Sequence, residues 1–162
     1  MNRMRKVLIA DDEVKVGQLV KRLIQWDRLG LTCIGLVTDG QTAYEKILSE
    51  SPDIVITDIR MPVLTGLEMI QKASEQGVKC HFIVVSGYKY FDYAQKALKY
   101  GVEDYLLKPI DEDELNRQLQ KIVAEEEQRE DKQQQVDQIE KKLEDSKYLR
   151  HKEFLRQILS QK

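Results

Sequence analysis

The chain has 162 residues, 41% of them hydrophobic and 33% charged, with a formal charge of −2, which leaves room for one ordinary domain and an appendage. Residues 1–111 carry 15 basic and 15 acidic side chains and residues 112–162 carry 11 and 13, so neither part has the basic excess of a nucleic-acid surface. No apolar run approaches the ~18–20 residues of a membrane span, and Met1–Lys6 leads into a strand rather than a signal peptide.

A soluble, cytoplasmic protein is expected. Cys33 and Cys80 form no CxxC pair or ligand cluster, and read as small buried hydrophobes in a reducing compartment.

In chain order, short apolar runs alternate with helical stripes. Val7-Leu8-Ile9 opens the series and is followed by Val16, Leu19, Val20, Leu23 and Ile24 at helical spacing. Cys33–Val37 comes next, then the stripe Ala43, Ile47 and Leu48. Ile54-Val55-Ile56 precedes Leu67, Met69, Ile70 and Ala73. Phe82–Val85 precedes Ala94, Ala97 and Leu98. Tyr105-Leu106-Leu107 precedes Leu115, Leu119 and Ile122, which follow Pro109. The apolar runs are ~3–5 residues long and do not alternate, as expected of strands buried on both faces. Five strand–helix repeats with short connections predict an α/β domain, a doubly wound five-stranded parallel sheet, followed by a long helical extension.

The composition changes near Asp111. Residues 124–135 read AEEEQREDKQQQ, and no glycine or proline follows Pro109. The residues are good helix formers, so the tail predicts one long helix or two abutting ones. It ends without a stop signal, as a segment cut from something longer would. Leu115, Leu119 and Ile122 have seam spacing, but the register continues onto Glu126, Arg129 and Gln133. It then meets Val136, Ile139 and Leu143 through two consecutive steps of 3, a stammer that overwinds a coil. A strong zipper is therefore not expected; a weak parallel pairing through Val136, Ile139 and Leu143 is, beside the plainer reading of a solvated spacer.

Open parallel sheets bind ligands at the carboxyl ends of their strands. Asp11 and Asp12 follow the first strand and Asp58 the third, and in the flavodoxin-like order 2-1-3-4-5 these strands are neighbours. Three converging carboxylates call for a cation, and oxygen ligands with room for water suit Mg2+. Ser86 ends the fourth strand and Lys108 the fifth. An ammonium, a hydroxyl and Mg2+ around one carboxylate could neutralise a phosphoryl group during in-line transfer, with the carboxylate itself as nucleophile. Taken singly, Asp11 and Asp12 could be helix caps, Asp58 a turn residue, Ser86 a turn or cap hydroxyl, and Lys108 a surface lysine. Each, however, falls at the end of a different strand. His81 and His151 have no partners at ligand spacing. Packing accounts for Phe91 and Tyr100, whereas Tyr88, Tyr90 and Tyr93 also suit a protein-binding face.

Asp11-Asp12, the stretch DIVITDIRMPVLTGLEMI (53–70), VVSGY (84–88) and DYLLKPI (104–110) resemble the receiver domain of bacterial two-component response regulators. The resemblance spans residues 5 to about 122, and so implies a receiver domain over 1–122 and a helical linker over 123–162. It implies that Asp58 accepts a phosphoryl group from a sensor histidine kinase. Mg2+ would be held by Asp12, Asp58 and the backbone carbonyl of Arg60, with Asp11 acting through water. Lys108 would pair with phosphoryl oxygens, Ser86 and Tyr105 would form the switch, and the Lys108–Pro109 bond would be cis. IQWDRLG (24–30), residues 86–110 and the helical tail resemble the YesN-like, AraC-linked subgroup. That subgroup implies transcription control through a DNA-binding domain this chain lacks, and dimerisation through the linker or the receiver face.

Two rival classes fit less well. A phosphohydrolase using an aspartyl-phosphate needs a second carboxylate two residues past the nucleophile, and that position is Arg60. A receiver reduced to a structural module would have lost an acidic residue or Lys108, and all are present.

Overall fold

Aliphatic runs too short for helices can hide their backbone only by pairing with one another, and the amphipathic segments between them then cover the sheet. The computed structural model describes residues 3–87 and 102–160, with only the backbone of Glu103. Its elements are β1 (Arg5–Ala10), α1 (Val14–Leu23), α2 (Trp26–Leu29), β2 (Leu31–Val37), α3 (Gly40–Glu50), β3 (Ile54–Thr57), α4 (Gly66–Glu75), β4 (His81–Ser86), β5 (Val102–Leu107) and α5 (Glu112–Ser160). The strands form one all-parallel sheet in the order β2-β1-β3-β4-β5. The expected doubly wound architecture is therefore present. The stripe Ala94, Ala97 and Leu98 and the aromatic residues Tyr88–Tyr100 lie outside the described residues.

The period of two along each strand divides the core. Leu8 and Ala10, Val55, and Phe82 and Val84 join Ala43, Ile47, Met69, Ile70 and Ala73 of α3 and α4 in one cluster. Their alternates Val7, Ile9, Ile54, Ile56, Ile83 and Val85 are also buried, and so face the other side of the sheet. Burial on both faces holds for β1, β3 and β4. It fails for the edge strand β2, most of which is only partly covered. Leu48 and Leu19, placed on apolar stripes by spacing, are 47% and 39% exposed. In α3 the covered stripe runs through Gly40, Ala43 and Ile47 instead. Cys33 and Cys80 are free thiols of intermediate burial; burial, helped by the charge of Asp53, pushes the Cys80 thiol up to about 12.

Two features have no counterpart in the periodicity. Val7 pairs with Cys33 but Leu8 pairs with Gly35, so Ile34 is an extra residue in β2. Its carbonyl is taken by the Lys46 ammonium at 3.0 Å. The second is the turn of helix α2, which ends at Gly30 in the left-handed region (φ 67°) that glycine adopts without cost. The backbone N–H of Gln25, just before α2, donates to Asn116 Oδ1 at 2.8 Å. Asn116 Nδ2 donates to the carbonyls of Leu23 and Glu112, both at 2.8 Å. Buried to 2% exposure, this amide ties the α1–α2 corner to the first turns of α5. The IQWDRLG stretch thus has a structural account.

The described residues divide between Ile122 and Val123 into two compact units. Leu115, Leu119 and Ile122 of α5 are buried in the first, as their spacing predicts. Helix α5 is one helix, not two abutting ones. Its residues Val136, Ile139 and Leu143 are exposed. No helix among the described residues is long and apolar enough to cross a membrane.

Candidate functional site

Residues at the end of a parallel strand leave the ladder with their side chains at the sheet's carboxyl edge, and four strands deliver polar groups to one point there. The carboxylates of Asp11, Asp12 and Asp58 lie within 4.8 Å of one another, with Asp11 and Asp58 buried and Asp12 exposed. The Lys108 ammonium stands 3.0 Å from Asp58 Oδ2 and 3.2 Å from Asp11 Oδ2. The Lys108–Pro109 peptide is cis, as expected. A cleft of about 350 Å³ opens over the group, lined by Asp12, Glu13, Asp58, Arg60, Ser86, Gly87 and Lys108.

Asp11 Oδ1 accepts the Glu13 N–H at 2.9 Å and so holds the turn after β1. Neither Asp11 nor Asp12 caps α1, whose N-cap is Glu13 without a side-chain bond. Burial pushes the Asp11 carboxyl up to about 6. The Glu13 N–H opposes this, the Asp58 charge adds to it, and Lys108 opposes it again. Burial also works against the Lys108 ammonium, but the hydrogen bonds and charges of Asp58 and then Asp11 outweigh it and hold its pKa above the ordinary value.

Ser86 Oγ is buried and, among the described residues, has no hydrogen bond of normal geometry, the Tyr105 hydroxyl being its polar neighbour. Ser86 lies on the wall of the cleft. Tyr105, partly buried, donates its hydroxyl to the Gly87 carbonyl at 3.0 Å. Burial raises its pKa, the neighbouring Ser86 hydroxyl opposes this, and the Asp58 charge reinforces it. Ser86 thus lines the cleft, while Tyr105, on the adjacent strand, reaches it through its bond to the lining residue Gly87. The three seam candidates, Val136, Ile139 and Leu143, belong to the second unit.

The loop after Asp58 holds residues that spacing did not single out. Thr57 Oγ1 donates to the Asp58 carbonyl at 2.8 Å, and the Ile59 N–H donates to Asp58 Oδ1 at 2.7 Å. A Cβ at Gly66 would stand 2.0 Å from the Asp58 carbonyl oxygen, and one at Gly40 would stand 1.9 Å from that of Leu64. Only glycine fits at either position. The one available signal was the Thr65-Gly66 pair opening α4, which reads equally well as an ordinary capping box, and the box is present.

Comparison with known proteins agrees with this geometry. The profile of the response regulator receiver domain family matches residues 7–120. The chain is 46% identical over 122 residues to the uncharacterized transcriptional regulatory protein YesN of Bacillus subtilis (strain 168), covering 75% of this chain and 33% of that one. It is 35% identical over 120 residues to the transcriptional regulatory protein HptR of Staphylococcus aureus (strain NCTC 8325 / PS 47), covering 74% and 47%. The chain thus spans a third to a half of these relatives. Among solved structures, the REC domain of AraT, a response regulator from Geobacillus stearothermophilus, superposes with a TM-score of 0.75 at 36% identity, over 78% of this chain and 98% of that one.

Proposed function

Since this chain belongs to the response regulator receiver domain family, the signalling domain of two-component systems, we propose that Asp58 is its phosphoacceptor and that a sensor histidine kinase is the donor. An Asp58 carboxylate oxygen attacks phosphorus, the P–N bond of the phosphohistidine breaks, and the imidazole leaves with the electron pair. The observation that carries this reading is the buried Asp58 carboxylate with the Lys108 ammonium 3.0 Å away, under a cleft whose wall holds the buried Ser86 hydroxyl. A carboxylate is itself the nucleophile in such a transfer, and no general base is needed.

An all-oxygen set of three carboxylates fits Mg2+ in donor chemistry. Asp12, Asp58 and the Arg60 carbonyl would hold it directly and Asp11 through water; when bound, it supplies positive charge for the phosphoryl oxygens. The chain's own residues do the rest. Lys108 balances the charge arriving on Asp58, and Ser86 Oγ donates to a phosphoryl oxygen. Tyr105, now tied to the Gly87 carbonyl, adjusts with Ser86 and relays the change toward α5. Because the relatives named above are transcriptional regulators that extend well beyond this chain, the output of a longer parent would be transcription control through a DNA-binding domain. Val136, Ile139 and Leu143, exposed on a helix, would support weak parallel pairing of two such chains.

The test is uptake of label from a small phosphodonor. Wild type should retain an acid-stable, base-labile phosphoryl group, and a chelator or Asp58→Ala should abolish uptake. Label at wild-type stoichiometry in folded Asp58→Ala would refute the assignment. Lys108→Ala should keep its fold but fail to couple phosphorylation to the switch.

A further inference from the structure

We propose that Thr57 is a positioning residue for Asp58, acting through the Asp58–Ile59 peptide; this rests on the reading of Asp58 as phosphoacceptor. Thr57 ends β3 after three aliphatic residues and is 1% exposed. A valine would have the same branched shape and belong in that company. The hydroxyl is costly there unless bonded, and its bond runs to the Asp58 carbonyl oxygen at 2.8 Å. The other end of that same peptide unit, the Ile59 N–H, holds Asp58 Oδ1 at 2.7 Å.

One amide plane therefore joins Thr57 to the nucleophile. It is closed on its other sides. The Asp58 N–H is held by the Ala10 carbonyl at 2.9 Å, and the Ile59 carbonyl accepts from Gly66 N at 2.7 Å. Gly66 lies against the Asp58 carbonyl so closely that a Cβ would come within 2.0 Å. With Oδ1 fixed in this way, the carboxylate's torsion is set and Oδ2 is the oxygen presented to Lys108. A hydrogen bond accepted at the peptide oxygen also polarises its N–H, making Ile59 a better donor. Thr57 acts on the reaction by fixing the direction of attack, and small angular errors at a nucleophile are expensive in rate.

The experiment uses the full chain with Thr57→Val, Thr57→Ala and Thr57→Ser beside wild type and Asp58→Ala. The readouts are the initial rate of labelling from acetyl phosphate at saturating Mg2+, the thermal midpoint, and the Ile59 amide proton by NMR. Thr57→Val should label about tenfold more slowly, with the Ile59 amide shifted upfield and exchanging faster. Thr57→Ser should restore both, which a purely packing role would not do because serine lacks the methyl. Wild-type labelling in Thr57→Val with an unmoved Ile59 amide would overturn the proposal. If Thr57→Val does not fold, equal labelling rates and equal Ile59 shifts in Thr57→Ala and Thr57→Ser would overturn it. If wild type itself takes no label at Asp58, the phosphoacceptor reading falls, and the Ile59 amide across the series still decides whether Thr57 orients the carboxylate.

Discussion

Asp11 shows how one residue carries both a structural and an electrostatic duty. Its Oδ1 organises the turn after β1, while its Oδ2 shares Lys108 with Asp58. Its pKa of about 6 lies above the ordinary 3.8, so the folded state holds the proton more tightly than the unfolded chain does. The contribution of Asp11 to stability is therefore fully present below about pH 4 and is lost as pH rises through about 6. In the presence of a chelator, Asp11→Asn should gain on wild type across that interval, by at most about 3 kcal/mol and less after solvent screening. Urea unfolding of both proteins at pH 4, 5, 6 and 7 measures the difference. Parallel profiles would mean that the Asp11 carboxyl titrates normally.

Elements in this fold are joined by single buried groups as much as by aliphatic faces. Asn116 satisfies the Gln25 N–H and the Leu23 carbonyl, two groups at helix ends that would otherwise lack partners. Asn116→Ala should cost about 2–3 kcal/mol and expose the Gln25 amide to fast exchange, without slowing phosphoryl uptake. Unchanged exchange at Gln25 would show that the clasp is not formed. A second local test concerns the loop between β3 and α4. Val63 has φ 70°, is 82% exposed, and is spanned by a Leu64 N–H to Pro62 carbonyl bond of 2.8 Å. This is a γ-turn of the rarer hand, strained for a β-branched residue. Val63→Gly should therefore raise stability by about 1 kcal/mol after the entropy of the added glycine. A lowered unfolding midpoint would contradict this.

The charge pattern of the second unit bears on assembly of the whole molecule. Residues 123–140 hold seven acidic and two basic side chains, and residues 141–162 hold three and seven. A parallel pair sets like charge against like along both halves, so salt should strengthen it by screening; an antiparallel pair would weaken. Sedimentation of residues 1–122 and 1–162, at low and high salt, with and without a phosphate mimic, separates these cases. The proposed parallel pairing predicts more dimer for the longer chain, increasing with salt and with the mimic. Equal dimer fractions for both lengths under every condition would leave the tail a spacer.

The fold class and the membership of the site were legible in the sequence for one reason, the locality of their signals. A strand's period and a polar residue at its end are set within a few positions, so Asp11, Asp12, Asp58, Ser86 and Lys108 could be placed at one edge before any distance was known. The buried stripe Leu115, Leu119 and Ile122 was equally local. What depends on two segments far apart in the chain was not legible. Asn116 and Gln25 are 91 residues apart. Leu48 had the right spacing to be covered, but nothing among the described residues covers its side of α3. Gly40 and Gly66 look like common helix-start glycines until the loop after Asp58 is laid against them. Thr57 reads as one more β-branched strand residue because its own neighbours are aliphatic. The peptide it holds becomes a mount for the Asp58 carboxylate only when the β3–α4 loop folds back and closes around the Asp58 carbonyl. Sequence determined which side chains meet, because strand ends are local; tertiary structure alone decided how they are held, because close packing joins segments that sequence keeps apart.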